Sequence, residues 1–385
     1  MLFAASLAVS VGAAHAQEAV RIGQLYDATG PVAAQSTPYA KGGQAAVRWA
    51  NASGAINGKR IELLSEDYGY QIPRAIAIYR KLRAAGVVAV QGFGSGDTEA
   101  LIDSVTGDKL PWFSASYSAH LTDGKKAPYN YMVGCDYSCQ ARAALIHMSG
   151  TWKGRAVPAK LAIIYMDNAF GKGILAPVES LAKELNIQIV AREIVNPGAL
   201  DAVPQMSRVK AAAPDFVLLQ QIVSTASAVL RDSAKVGLQT QFYGTVWTWD
   251  ANLPKLAGKS ADGLITVQLS ALSSVKLKAE EAMRKHADEP ALADDPSFIR
   301  GWASMIVLID AMRAADKGGK LSGESIKAAL DSGVSFETGG ATPPVRFAAA
   351  DHRSTDTVFL YRVEAGKPIF MTPMTVERRP EWLGN

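Results

Sequence analysis

The sequence is poor in the residues on which most metal and redox chemistry depends. It has two cysteines and five histidines among 385 residues. The histidines are scattered and none stands at ligand spacing to Cys135 or Cys139, so the pattern predicts no metal site and no cofactor. The net charge is +4 without a dense Lys/Arg stripe, which disfavours nucleic acid as a partner. After residue 16, no apolar run is long enough to span a bilayer.

A catalytic constellation is also missing, so the sequence predicts a protein that is not an enzyme. No histidine accompanies a Gly-x-Ser-x-Gly elbow, and Gly94-Ser95-Gly96 lacks the spacing of that motif. An exported hydrolase remains an alternative, with His120 beside a serine cluster as its one candidate base. A sensory ligand-binding protein is a third interpretation.

Residues 1–16 have the pattern of a secretory signal peptide. Leu2 to Ala14 is apolar, and Ala14-His15-Ala16 forms a small-x-small cleavage site before Gln17. No lipobox cysteine follows, so we expect a free protein in the periplasm. An oxidising compartment permits a disulfide between Cys135 and Cys139, and the alternative of two free thiols stays open.

The stretch from Val87 to Ser118 organises the rest of the chain. An apolar run at 87–90 predicts a buried strand, and three glycines then make a tight loop into a helix that begins at Ser95 or Asp97. The next strand, near Trp112, runs into serines at 114, 116 and 118. Because a helix N-terminus presents free N–H groups that attract anions, we predict one wall of a small-molecule cleft here.

Two other interpretations of this loop compete with a ligand site. A dinucleotide fingerprint requires Gly-x-Gly-x-x-Gly, but its third glycine falls on Asp97, whose charge would oppose a phosphate. The simpler interpretation is that the glycines only make a strand-to-helix turn and the serines only cap.

Strands and helices alternate twice along the chain, from Val20 to Phe113 and again from Leu161 to Gly244. This rhythm predicts an α/β protein with parallel sheets covered by helices on both faces. Two such units in 385 residues predict two doubly wound lobes.

An ordered set of motifs over the whole mature chain resembles the periplasmic leucine/isoleucine/valine-binding protein family, the type I solute-binding proteins of ABC importers. The motifs are Ile22-Gly-Gln-Leu, Thr29-Gly-Pro31, Ile56-Asn-Gly-Lys, Glu66-Asp67, Ala169-Phe-Gly171-Lys-Gly, Asp215-Phe-Val and Val236-Gly-Leu-Gln-Thr-Gln-Phe-Tyr-Gly244. The resemblance implies the type I periplasmic binding protein fold, with two lobes joined by three crossovers. The implied division is 17–137 plus 268–340 for the N-terminal lobe and 138–267 plus 341–385 for the C-terminal lobe. The implied partners are a small-molecule ligand and the permease and ATPase subunits of an importer, with the protein itself monomeric.

The resemblance also implies roles for individual residues. The family's carboxylate-binding serine falls on Ser95, and small polar residues after the next strand fall on Ser116 and Ser118. Two aromatic positions of the family fall on Phe170 and Trp302. Arg300, two residues before Trp302 on a predicted helix, is expected to face away from it as a solvated or salt-bridged arginine, with a clamp for the ligand carboxylate as the alternative.

One departure from the family pattern bears on the ligand class. Where the family's amino-acid binders place an acid after the strand ending at Gly244, this chain has Val246-Trp247-Thr248-Trp249. A buried ammonium without a carboxylate costs several kcal/mol, so a carboxylate with a flat or apolar body, such as an aromatic acid, is favoured and Trp247 is expected to line the cleft. The alternative is an amino acid or amide ligand, for which Asp136 or the more distant Asp250 replaces the missing acid.

Overall fold

The computed structural model describes residues 19–199, 201–272 and 275–385. The predicted signal peptide, residues 1–16, lies outside the described residues. Among those that are described, no helix is both long enough and apolar enough to cross a membrane.

The first sheet has five strands, all parallel, in the order β2-β1-β3-β4-β5. Its strands are β1 (Ala19–Tyr26), β2 (Arg60–Asp67), β3 (Ala89–Gln91), β4 (Trp112–Phe113) and β5 (Asn130–Tyr131). Strands β3 and β4 are short because the glycine loop and the serine segment begin at their carboxyl ends.

The second sheet has seven strands in the order β14-β13-β10-β9-β8-β6-β7. Its strands are β6 (Ala159–Tyr165), β7 (Ile187–Ile194), β8 (Phe216–Gln220), β9 (Gln241–Gly244), β10 (Ile265–Gln268), β13 (Thr357–Glu364) and β14 (Lys367–Thr375). Strands β6 to β10 pair in parallel, whereas β13 and β14 add an antiparallel edge beside β10. A separate antiparallel pair is formed by β11 (Ser332–Phe336) and β12 (Val345–Ala348).

Helices cover both faces of each sheet, which confirms the predicted doubly wound architecture. They are α1 (Ala33–Ala52), α2 (Ile72–Ala84), α3 (Ser95–Gly107), α4 (Tyr137–Trp152), α5 (Ala169–Lys172), α6 (Leu175–Glu184), α7 (Val203–Ala211), α8 (Val223–Lys235), α9 (Leu253–Ala257), α10 (Glu280–His286), α11 (Pro296–Lys317) and α12 (Gly323–Leu330). Helices α1, α11 and α12 cover one face of the first sheet, and α2 and α3 cover the other. Helices α4 and α6 cover one face of the second sheet, and α7, α8 and α9 cover the other.

Strand β6 shows why its sequence is continuously apolar rather than alternating. Leu161 and Ile163 pack under α4 and α6, while Ala162 and Ile164 pack under α7 and α8. Successive side chains of a strand point to opposite faces, so a strand buried on both faces needs an apolar residue at every position.

Over the described residues the chain passes between the two lobes three times, between β5 and α4, between β10 and α10, and between β12 and β13. The predicted division needs one correction. It assigned residues 341–385 to the C-terminal lobe, but Val345 and Phe347 pack with Phe113 and Tyr131 of the first sheet. Residues 345–348 therefore lie with the N-terminal lobe, and the other boundaries stay a prediction.

Cys135 and Cys139 form a disulfide at the first of these crossings. Cys135 precedes α4, and Cys139 lies in its first turn, where its backbone N–H donates to the side chain of the capping residue Asp136 at 2.8 Å. The non-helical backbone at the cap is what allows two cysteines four positions apart to meet.

Candidate functional site

A cavity with about 360 Å³ of unfilled space lies between the lobes, where the carboxyl ends of both sheets face each other. Ligands of open α/β sheets bind at this edge of the sheets. The wall from the N-terminal lobe consists of Val32, Gln35, Tyr70, Phe93, Gly94, Ser95 and Ala115. The opposite wall consists of Tyr137, Met166, Phe170, Ile222 and Trp247.

Ser95 is the first residue of α3 and lies on the cavity wall. Gly94 precedes it with an extended backbone, and a Cβ there would come within 2.6 Å of the Tyr68 hydroxyl and also overlap Asp97 Oδ1. Only glycine therefore permits this close turn into the helix. The result is a hydroxyl and a helix N-terminus presented together to the cavity, an arrangement suited to a carboxylate.

The two other predicted serines stand behind Ser95 rather than on the wall. The Ser116 hydroxyl donates to Ser95 Oγ at 2.8 Å, and it also lies 3.1 Å from the Ser118 hydroxyl. Both are buried, at 0% and 2% exposure. They orient Ser95 and supply hydrogen bonds that the apolar surroundings lack.

His120, the candidate base of the hydrolase interpretation, lies at the far end of this serine network. Ser118 donates to Glu99 Oε1 at 3.4 Å, and His120 Nε2 lies 3.6 Å from the same oxygen. The imidazole is half exposed and is not on the cavity wall. It is therefore separated from Ser95 by three intervening side chains, and no nucleophile–base pair forms here.

Trp247 dominates the wall from the C-terminal lobe. It lies in a 3-10 turn, Val246–Thr248, directly after β9. Its indole N–H donates to the Tyr137 hydroxyl at 3.0 Å, and its ring centroid lies 5.5 Å from that of Phe93. Trp249 points away into the cluster between α8, α9 and the second sheet. Phe170, on α5, completes this wall with its ring 5.1 Å from Tyr137.

Besides Ser116 and Ser118, two further predicted site residues are not on the cavity wall. Trp302 is 2% exposed in the core of the N-terminal lobe, with its ring 6.0 Å from Trp49 of α1. It is turned there because its face of α11 packs on α1. Asp136 caps α4 beside the disulfide, and burial raises the pKa of its carboxyl. Its side chain is engaged by the helix N-terminus and does not reach the wall.

Among the described residues, no charged side chain lines the cavity. The nearest acidic side chains, Asp250 and Asp97, lie behind wall residues. Asp250 accepts a hydrogen bond from Gln35 Nε2 at 3.4 Å, and burial raises the pKa of its carboxyl. Asp97 lies behind Gly94, accepts from the Tyr68 hydroxyl at 2.9 Å, and has its pKa raised to about 7 by burial. In the same part of the chain, no group of His, Cys, Asp and Glu side chains is arranged to hold a metal ion.

Sequence reasoning missed several wall residues, notably Gln35, Tyr70, Phe93 and Tyr137. Each comes shortly after a strand end or at a helix start, so position relative to the strands was the available signal. These side chains face the cavity because the other lobe lies opposite them, and no local sequence pattern predicts how the two lobes meet.

The family model described as periplasmic binding protein matches residues 19–368. The chain belongs to this family. Relatives include the Leu/Ile/Val-binding protein of Escherichia coli, 24% identical over 69% of this chain and 72% of that protein. A leucine-, isoleucine-, valine-, threonine- and alanine-binding protein of Pseudomonas aeruginosa is 24% identical over 84% of each chain.

Among solved structures, an ABC transporter substrate-binding protein from Aeropyrum pernix has a TM-score of 0.88 at 26% identity. The match covers 95% of this chain and 98% of that one. Agreement over nearly the full length of both chains confirms the type I periplasmic binding protein fold expected from the motifs.

Proposed function

We propose that this family member is the substrate-binding protein of an ABC importer, capturing a small solute with a carboxylate group between its lobes. The observation that carries the proposal is the Ser95 hydroxyl at the N-terminus of α3, set in an otherwise apolar and aromatic cavity. A carboxylate gains charge-assisted hydrogen bonds there, and its apolar body gains burial against the aromatic wall.

An amino acid is the ligand class that the relatives favour. The relatives in Escherichia coli and Pseudomonas aeruginosa are both named for leucine, isoleucine and valine, and the second also for threonine and alanine. An ammonium group needs a nearby anion, and Asp250 supplies one behind Gln35. In this arrangement Gln35 contacts the ligand and Asp250 holds the amide and compensates the positive charge.

An aromatic or other flat carboxylate is the second candidate. Its support is the wall itself, which offers Phe93, Phe170 and Trp247 and no charged side chain among the described residues. Aromatic rings pack at offset or edge-to-face geometry and gain about 0.5–1.5 kcal/mol per pair beyond burial.

We further propose that the protein acts by closure and not by catalysis. The ligand shifts the equilibrium between open and closed lobes only by its differential affinity for the closed form, which a permease then recognises. The monomeric protein is exported to the periplasm by its signal peptide, where such a capture step precedes uptake.

A thermal-shift screen of the mature chain from Gln17 tests the proposal. The panel contains leucine, isoleucine, valine, 4-methylpentanoate, benzoate, cinnamate, phenylacetamide and urea. A ligand at a hundredfold excess over its dissociation constant adds about 2.7 kcal/mol of stability, a shift of several degrees. We expect a shift with at least one carboxylate.

The pattern of shifts separates the candidates. A response to leucine but not to 4-methylpentanoate, which lacks only the ammonium, supports the amino acid. A response confined to benzoate and cinnamate supports the aromatic acid. No response to any carboxylate contradicts the proposal, and turnover of ester substrates that is lost in His120→Ala would support the hydrolase.

A further inference from the structure

Arg300 is a buried arginine that donates to two polar side chains. It lies on α11 at 2% exposure and donates to Gln268 Oε1 at 3.2 Å and to Ser297 Oγ at 3.1 Å, while its Nε has no hydrogen-bond partner among the described residues. Among the described residues, no acidic oxygen is within ion-pair distance of it, so it is neither solvated nor salt-bridged as its sequence position suggested.

The Arg300 guanidinium lies against the wall residue Trp247. Its central carbon is 4.5 Å from the centroid of the indole ring, within the range of a cation–π contact. The Trp247 ring also packs against those of Phe93 and Tyr117, and its N–H donates to the Tyr137 hydroxyl. Among the described residues, Arg300 is the one cation that lies over this indole.

This contact joins the two lobes. Arg300 belongs to α11, which packs on α1 in the N-terminal lobe, whereas Trp247 follows β9 in the C-terminal lobe. Gln268, which accepts from the guanidinium, ends β10 where the chain crosses back. The cation and the indole therefore meet across the boundary between the two lobes.

Two acids balance the charge from a distance. Asp295, the cap of α11, and Asp250, in the segment after Trp247, both interact electrostatically with Arg300. One acid comes from each lobe, so closure surrounds the guanidinium from both sides. Desolvation makes such a buried cation costly unless its contacts are well formed, which makes its position sensitive to how the lobes fit.

We propose that Arg300 is a positioning residue that couples lobe closure to the placement of the Trp247 indole against the ligand. The inference rests on the proposed function, because it assumes a ligand in the interlobe cavity. It assigns Arg300 no contact with the ligand: the guanidinium acts through the indole that forms the wall.

A double-mutant cycle on ligand binding tests this coupling. Dissociation constants for leucine and benzoate are measured by titration calorimetry for the wild type, Arg300→Met, Trp247→Leu and the double variant. We expect Arg300→Met to weaken binding of whichever probe the wild type binds by about tenfold or more. In the Trp247→Leu background the same change should weaken binding less than threefold, because the indole it positions is gone.

Two further variants separate positioning from general stability. Arg300→Lys keeps a cation over the ring and should restore part of the affinity. Arg313→Met removes another arginine of α11 whose guanidinium lies 5.6 Å from the Trp49 ring, away from the cavity. It should lower the urea midpoint without changing either dissociation constant. If Arg300→Met does not fold, the comparison of Arg300→Lys with the wild type, in both Trp247 backgrounds, replaces it.

The coupling of Arg300 to Trp247 would be overturned if Arg300→Met weakened binding by the same factor with Trp247 and with Leu at position 247, or if it left the affinity unchanged. Either result would leave the proposed function intact. Binding of neither probe by the wild type overturns the ligand class, and the inference with it.

Discussion

At the scale of single residues, Ser95 is the side chain on which the ligand proposal depends most. Ser95 is 2% exposed and lies on the cavity wall, and its hydroxyl accepts a hydrogen bond from Ser116. Its own proton can be directed to the neighbouring Tyr137 hydroxyl or to a carboxylate in the cavity. Ser116 and Ser118 fix the orientation of that hydroxyl from behind.

Ser95→Ala is expected to weaken ligand binding by about tenfold or more, since a hydrogen bond to a charged group contributes about 1.5–3 kcal/mol. Calorimetry with the ligand found in the screen measures the change. Ser104→Ala, at an exposed position of the same helix, is the matched control and should bind as the wild type does. An affinity within twofold of the wild type would remove Ser95 from the site.

The residue scale also shows where sequence reasoning ended. Ser95, Phe170 and Trp247 follow strand ends, and all three lie at the same cavity, Ser95 on one wall and the two aromatic residues on the other. Trp302 lies on a helix apolar on nearly every side, so the pattern gave no means of choosing between the α1 interface and the cavity. Gln35 and Phe93 lie on the wall because of the opposing lobe, a relation between segments far apart in sequence.

At the scale of elements, the crossing of α1 and α11 holds the N-terminal lobe together. Gly42 of α1 lies against the backbone of Phe298, and Gly301 of α11 lies against the backbone of Tyr39. A Cβ at Gly301 would overlap the Tyr39 carbonyl oxygen, and backbone has no rotamer by which to move away. The glycines thus permit a close approach that puts Arg300 and Trp302 of α11 on opposite sides.

Gly301→Ala is expected to destabilise the protein by about 3 kcal/mol or more, because the two helices must separate. Gly150→Ala, on the exposed side of α4 with no atom near its added Cβ, is the matched control. It should stabilise by up to about 1 kcal/mol through helix propensity alone. Urea unfolding measures both, and a loss in Gly150→Ala as large as that in Gly301→Ala would contradict the close-packing argument.

The sequence predicted helices and strands where the spacing of apolar residues agrees with the side chains that are buried. The parallel strands and the long helices match their patterns. The apolar stripe of residues 296–315 predicts a long helix, for example, and α11 is found at Pro296–Lys317. The antiparallel edge strand β14 was missed, because its residues are mostly half or fully exposed and contain two prolines. The pattern predicts a loop at 167–171 and a helix at 172–185. The structure instead has the short helix α5 at Ala169–Lys172, capped by Asn168, and α6 begins only at Leu175.

At the scale of the whole molecule, carboxyl groups with shifted pKa values make the free energy of unfolding depend on pH in two opposite ways. Asp67, Asp331 and Asp351 have lowered pKa values through hydrogen bonds and nearby cations that outweigh burial. Such groups contribute stability above the unfolded pKa, near 4, that is lost as the pH falls through their folded values. They therefore destabilise the protein in acid.

Asp97 acts in the opposite direction, because burial raises its pKa to about 7. Between about pH 4 and pH 7 the unfolded chain releases this proton while the folded protein retains it, so stability falls as the pH rises. The shift corresponds to at most about 4 kcal/mol, at 1.36 kcal/mol per pKa unit. Asp136, Asp250 and Asp295 are also buried with raised pKa values, and they add to the same loss.

We therefore expect the free energy of unfolding to be greatest in mildly acidic solution, near pH 4–5, and to decline toward pH 7. Asp97→Asn retains an oxygen for the Tyr68 hydroxyl and removes the charge, so it should flatten the decline of the free energy of unfolding with pH. The variant should be more stable than the wild type at pH 8 and closer to it at pH 4. Asp103→Asn, an exposed position of α3, should leave the profile parallel to that of the wild type. Urea midpoints from pH 3 to pH 8 measure this. Parallel profiles for Asp97→Asn and the wild type would mean that Asp97 titrates alike in the folded and unfolded chains. Burial behind Gly94 would then not raise the pKa of the Asp97 carboxyl.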